Sequence, residues 1–240
     1  MSFYGLQMPG VAAGDLSGKL IVVEGLDGSG RSTQISLLRD WLEDNGHATR
    51  IVGLSRSELV SEEIRIAKEG HRMTKRTFAL FYATDFMDQL ENIILPGLRA
   101  GAVVLADRYI YTPIARGTVR GLERAWLEKI YSVAVVPDIV FYLKVSPQIL
   151  IERNLEQRGE LDYWESGMDI GLAEGAFDSF MVYQQRMGEE FDRMSDHYGF
   201  IRVNGDRSIA QVNRDIRGRI KKTLGIEGGA LRRLLRRGDA

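Results

Sequence analysis

Five short apolar runs punctuate the chain, at residues 20–24, 50–54, 102–106, 139–143 and 200–203. They are rich in Val, Ile and Leu and largely non-alternating, as strands covered on both faces should be. Between them, apolar positions recur with the helical period. Residues 31–45 put Leu37, Leu38, Trp41 and Leu42 on one side and end at Gly46, a good residue for a left-handed stop. Residues 61–68 open on a capping serine. Residues 77–95 predict a long helix that ends before Pro96, and residues 122–135 stop short of Pro137. Residues 147–157 start with proline in the first turn, and helices over 176–197 and 209–224 complete the set. Strands alternating with helices predict right-handed βαβ units and a parallel sheet in one α/β domain over residues 19–224. Residues 1–18 carry no strong pattern and read as a loose extension.

The first strand runs into a glycine-rich loop and then a helix, LIVVEGLDGSGRST at residues 20–33. The loop fits the phosphate-binding pattern G-x-x-x-x-G-K-[ST] at Gly25, Gly30 and Ser32, with Arg31 in the lysine position. Glycines let backbone N–H groups turn toward phosphate oxygens, and the helix adds the positive end of its dipole. A long cation reaches the β/γ-phosphates, and the hydroxyl suits Mg²⁺. The third strand ends in VVLADRY, residues 103–109, so Asp107 stands either near the metal shell or as the cap of a turn. Beside it, Arg108 lies at the carboxyl end of the sheet, where ligands of open α/β folds bind.

Composition narrows the chemistry. The formal net charge of −1 gives no global attraction to nucleic acid or anionic membrane. Without cysteine there are no disulfides, thiol nucleophiles or zinc–thiolate sites. No apolar run approaches the ~18 residues of a membrane span, and the first residues lack a secretory signal, so the cytoplasm is the default location. Two segments fall outside the strand–helix rhythm. Residues 159–175 hold Tyr163, Trp164 and Met168 among carboxylates and glycines, as a lid or as a structural excursion. Residues 225–240 set Arg232, Arg233, Arg236 and Arg237 beside Leu231, Leu234 and Leu235. This basic tail reads as a solvated end or as an amphipathic helix for a partner or anionic surface.

Taken together, VVEGLDGSGRSTQ (22–34), the SR at Arg56, LFYATDFMDQLENIILPGL (80–98), LADRY (105–109), PDIVFYLKVSPQILIERN (137–154) and RGELD (158–162) resemble the thymidylate kinases, nucleoside monophosphate kinases of the P-loop class. The likeness runs from about residue 19 to 224 in the family's order. It implies a P-loop kinase fold, a five-stranded parallel sheet flanked by helices with a lid near 158–175. It also implies ATP and Mg²⁺, a nucleoside monophosphate acceptor such as dTMP or a related pyrimidine nucleotide, and a homodimer. By this resemblance Gly25, Leu26, Asp27, Gly28, Ser29, Gly30, Arg31, Ser32 and Thr33 cradle the donor phosphates, and Arg153 packs against the donor adenine. Asp27 sits near the acceptor sugar or the metal, and Ser32 and Asp107 lie at the metal. Arg56 and Arg108 hold the acceptor phosphate, and Tyr82 stacks on its base. Arg31, Asp27, Arg108 and Arg158 form the catalytic set.

The departures from that family fall on the acceptor side and the lid. Phe86 replaces the arginine that contacts thymine, and Thr112, Pro113 and Arg116 replace a serine, a polar base reader and a tyrosine. The lid carries the unfamiliar DYWESGMD, residues 162–169. Phe86 cannot donate a hydrogen bond to a base carbonyl. Two other readings therefore stand beside the first: a P-loop kinase for a non-thymidine or non-nucleotide acceptor, favoured by Phe86, Pro113 and Arg116, and a nucleotide-binding module without activity, favoured by Arg31.

Overall fold

The computed structural model describes residues 1–70 and 73–225; the basic tail expected from the sequence lies outside the described residues. Strands β1 (Lys19–Gly25), β2 (Thr49–Gly53), β3 (Val103–Asp107), β4 (Ile139–Lys144) and β5 (Ile201–Asn204) form one parallel sheet in the order β2-β3-β1-β4-β5. Each of the five lies within one residue of its apolar run. The runs look non-alternating because both faces are buried. In β1, Leu20 and Val22 enter one core while Ile21 and Val23 enter the other. Full burial of such a side chain stabilises by about 1.5–3 kcal/mol, so the central strands fix the sheet firmly.

Helices α1 (Arg31–Asp44) and α9 (Ile209–Leu224) cover one face through Leu38, Leu42, Ile216 and Ile220. The other face carries α3 (Lys75–Gln89), α5 (Tyr111–Val119) and α8 (Ala176–Tyr198), with Phe86, Ile114 and Phe191 in its core. The remaining helices are α2 (Ser61–Gly70), α4 (Leu95–Arg99), α6 (Arg124–Ile130) and α7 (Pro147–Arg158). Among the described residues no helix is long and apolar enough to cross a membrane.

The helix expected over 122–135 is shorter, spanning only Arg124–Ile130 before the chain turns, and three further features differ from the pattern. Helix α5 was not visible in the sequence, because Pro113 and Gly117 interrupt its period. Pro113 sits in the first turn, where the missing N–H has no intrahelical partner to lose. Gly117 lets Leu127 pack close, since an added Cβ would lie 2.7 Å from its Cδ1. The helix expected over 77–95 starts two residues earlier, capped by Thr74 through the Thr77 amide. It then widens into a π-turn over Leu90–Ile94 and continues through Pro96 as α4. Finally, residues 1–18 lie against the domain. Phe3 bridges Val135, the Tyr4 and Gly5 amides donate to Ala134 and Ser132 carbonyls, and Met8, Val11 and Leu16 are buried. Isolated bridges of this kind leave no periodic trace in a sequence.

Candidate active site

The carboxyl ends of β1 and β3 lie side by side, with Val23 opposite Asp107, and the chemistry gathers there. After β1 the loop turns through Gly28 and Gly30, at φ +82° and +87°, a region that favours glycine. Gly28 also admits Asn154, whose Nδ2 would lie 2.7 Å from an added Cβ and which donates to Asp27 O at 3.1 Å. Gly30 caps α1 without a side-chain bond, which keeps the first-turn amides available to an anion.

Arg31 is buried and folds back into its own loop. Nη1 donates to the carbonyls of Gly25 and Leu26 and to Ser29 Oγ (3.2 Å), while Nε donates to Asp107 Oδ1 at 3.1 Å. Ser32 Oγ donates to Asp107 Oδ2 at 2.6 Å, and Arg56 reaches the same oxygen at 3.1 Å. Burial opposes the Asp107 charge, but Arg31, Ser32, Arg108 and Arg56 outweigh it and hold the carboxyl below its ordinary range. Asp27 is the second hub. It pairs with Arg108, with Arg116 at 3.1 Å and with Arg31 at 3.7 Å. Arg108 has φ +73°, unusual for a side-chain-bearing residue, and its amide donates to Val23 O at 3.0 Å. Burial, reinforced by Arg31, pushes its guanidinium down to about 10, against the pull of Asp27. It therefore stays charged at neutral pH.

Asp27, Arg31, Arg56, Tyr82, Asp107, Arg108 and Arg116 line one cleft of about 220 Å³. Gly28, Ser29, Gly30, Thr33 and Arg153 line another of about 510 Å³, closed by residues 205–209 and Val212. Arg153 donates to Gly28 O and Gly205 O at 3.4 and 3.1 Å. The loop thus separates two chambers, each rimmed by arginine. Tyr82 is buried against Phe78, and Arg116 reaches its hydroxyl at 3.4 Å. Phe86 packs on Tyr109 and Tyr131 and, with Pro113, walls a small apolar hollow beside Arg108. Thr112 does not face either chamber. Its hydroxyl donates to Glu24 at 2.6 Å, and Glu24 also accepts from the Tyr109 amide at 2.9 Å. Burial pushes the Glu24 carboxyl up, only partly offset by these donors and by Arg108 and Arg31. Arg158 lies outside the residues whose side chains are described.

Several contributors escaped the sequence reading. Asp85 is fully buried and accepts from the Ser55 and Ser57 amides, both at 2.8 Å, so it shapes the loop that carries Arg56. Gln89 pairs with both the N–H and the C=O of Gly53 (3.0 and 2.7 Å). Glu165 lines the acidic and basic cleft from the 159–175 segment. Polar residues on the inner face of a predicted helix were the available signal for Asp85 and Gln89. Replacing Asp85 with alanine should strand two amides. At about 1–3 kcal/mol per unsatisfied group, a loss of about 2–6 kcal/mol is expected in urea unfolding. Asp85→Asn should recover part of it.

The segment 159–175 is anchored at many points. Asp162 Oδ1 accepts from the Trp164 and Glu165 amides at 2.9 Å, and Trp164 Nε1 donates to Lys68 O at 2.9 Å. Arg120 donates to Trp164 O at 2.8 Å and to both Asp169 oxygens. Trp164, Glu165 and Ser166 are buried as a result.

For a divalent ion, Ser32 and Asp107 supply a hydroxyl and a carboxylate oxygen side by side. Among the described residues no group of three or more His, Cys, Asp or Glu is placed to hold a metal. This donor set fits Mg²⁺, which keeps several waters and takes only one or two protein oxygens beside phosphates.

Known proteins match this chain over most of its length. The thymidylate kinase family model matches residues 23–216. A probable thymidylate kinase 2 from Saccharolobus solfataricus is 38% identical over 203 residues, 84% of this chain and 95% of the relative. A probable thymidylate kinase from Pyrococcus horikoshii is 30% identical over 218 residues, 87% of this chain and 98% of the relative. A thymidylate kinase from an Exiguobacterium species is 30% identical over 210 residues, covering 84% and 93%.

Proposed function

The chain belongs to the thymidylate kinase family, and from that membership we propose that it transfers the γ-phosphoryl group of ATP to dTMP or a closely related pyrimidine nucleoside monophosphate, with Mg²⁺. One observation carries the reading: the phosphate loop stands between two chambers, and the smaller one gathers Arg56, Arg108 and Arg116 around Asp27 and Asp107 beside the ring of Tyr82. In the reaction an oxygen of the acceptor phosphate attacks the γ-phosphorus, and the bridging oxygen leaves with ADP. The protein's part is positioning and neutralisation of charge. Loop amides and the α1 terminus hold the donor phosphates, with Arg153 at the base side. Arg108 and Arg56 fix the acceptor phosphate, and Tyr82 supplies a stacking face. Asp27 orients Arg108 and Arg116. Ser32 and Asp107 would hold Mg²⁺, which supplies neutralisation of the donor's phosphate oxygens when bound.

A second reading concerns the acceptor alone. Phe86, in the position of the family's thymine-contacting arginine, offers no donor to a base edge. A site that lacks such a donor discriminates weakly, by roughly ten- to a hundredfold less. Poor selection among dTMP, dUMP, UMP and CMP, or preference for one of the others, follows from it.

Ligand binding to the native state raises the melting temperature by mass action. Millimolar ATP with Mg²⁺ should therefore raise Tm, and Ser32→Ala should shrink the Mg²⁺-dependent part. An unchanged melting curve in wild type would contradict the donor assignment.

A further inference from the structure

Glu24 is fully buried near the end of β1, so it meets no substrate, and the proposed reaction gives it no part. A buried carboxyl group is costly unless its oxygens are used. Here they serve one short stretch of chain. Oε1 accepts from the Tyr109 amide at 2.9 Å and from the Thr112 amide at 3.3 Å, and Oε2 accepts from the Thr112 hydroxyl at 2.6 Å. That stretch joins β3 to α5, and it begins with Arg108.

The backbone of Arg108 makes the stretch unusual. Its φ of +73° puts a side-chain-bearing residue in the left-handed region, a conformation that persists only where the surroundings over-determine it. Both peptides flanking its Cα are tied to β1. The Arg108 amide donates to Val23 O at 3.0 Å, and the following amide, of Tyr109, donates to Glu24. The first bond holds the peptide that defines φ, and the second holds the peptide that defines ψ. With both planes fixed, the side chain leaves the backbone toward its pairing with Asp27. Across the turn, Tyr109 Oη donates to Val135 O at 3.0 Å and pins the other side.

The same carboxyl group also starts α5. Ile110, at the N-cap, makes no side-chain capping bond, and Thr112 lies in the first turn, where amides have no partner within the helix. Glu24 accepts the Thr112 amide from β1 and sets an acidic group at the positive end of the helix dipole. Arg116 stands one turn further along α5, where it pairs with Asp27 at 3.1 Å.

We propose that Glu24 is a positioning residue for the acceptor phosphate: by holding the turn after β3 it keeps Arg108, and through α5 Arg116, in the acceptor cleft. The proposal rests on the phosphoryl-transfer reading above, because Arg108 is the anchor it serves. The turn needs an oxygen acceptor, so glutamine can stand in where alanine cannot.

Steady-state kinetics and melting curves on the same variants test it. Glu24→Ala should raise the acceptor KM by at least about tenfold, the equivalent of one charged hydrogen bond lost from the support of the anchor. The KM for ATP should not change, and Glu24→Gln should recover most of the loss. Phe191→Leu, a buried change on α8 where the ring stacks on Tyr142, supplies the comparison for lost stability. Its Tm should fall while its acceptor KM stays at the wild-type value. A wild-type acceptor KM in Glu24→Ala, an equal rise in the KM for ATP, or the same rise in Phe191→Leu overturns the proposal. If Glu24→Ala does not fold, Thr112→Val, which removes only the hydroxyl donor, decides. A raised acceptor KM with the KM for ATP unchanged supports the proposal, and a wild-type acceptor KM overturns it. If the wild type transfers phosphate to no nucleotide, the reaction reading fails by itself. A crystal structure of Glu24→Ala, or of Thr112→Val where the former does not fold, then settles the positioning: Arg108 displaced from its left-handed conformation supports it, and Arg108 unmoved overturns it.

Discussion

Arg108→Ala is expected to lower kcat/KM by about 10²–10³-fold, the usual loss when a preorganised donor to a reacting charged group is removed. Three observations converge on this residue. It holds an uncommon backbone conformation, it is buried yet still charged at neutral pH, and it pairs with Asp27 in the cleft that Arg56 and Tyr82 also line. The loss should appear for every accepted nucleotide, because a phosphate anchor is blind to the base. Arg108→Lys should recover only part of it, since an ammonium cannot reproduce the planar fork. Steady-state kinetics on the two variants read this directly, and full activity in Arg108→Ala would remove the anchor.

Arg31→Ala should cost at least about tenfold in turnover, and Arg31→Lys should retain measurable activity. Arg31 donates to two loop carbonyls, to Ser29 and to Asp107. Alanine would leave buried acceptors unpaired and Asp107 with less compensating charge, a loss of about 1.5–3 kcal/mol for each charged hydrogen bond. Lysine keeps the charge and up to three donors on one atom, so it can meet part of the set but not its whole spread. Part of the loss in Arg31→Ala should appear as lowered Tm, because the residue holds its own loop together. Wild-type turnover in Arg31→Ala would show that the cation in the lysine position has no part in the reaction.

The scaffold of this site was legible because it rests on local chemistry. Runs of aliphatic residues give two-faced strands, and glycines at 25, 28 and 30 give a loop that only a few backbone shapes permit. What was not legible depends on partners far away in sequence. Asp85 serves amides thirty residues earlier, Glu24 serves Thr112 across eighty-eight positions, and Glu165 enters the cleft from a segment with no period at all. Thr112 illustrates the limit from the other direction. Its position beside the DRY sequence suggests the acceptor cleft, but the buried Glu24 carboxylate claims its hydroxyl. Helix α5 was hidden by a proline whose place in the first turn makes it harmless, a fact fixed by the Tyr111 start rather than by composition.

Transfer of label from [γ-³²P]ATP to nucleoside monophosphates, with and without Mg²⁺, tests the central claim most directly. Labelled dTDP should form in wild type only when Mg²⁺ is present, with dUMP, UMP or CMP labelled at comparable kcat/KM, and Arg108→Ala should lose the signal for all of them. No labelled diphosphate from any nucleoside monophosphate, under conditions where ATP with Mg²⁺ raises Tm, would contradict the account and leave a nucleotide-binding protein without this activity.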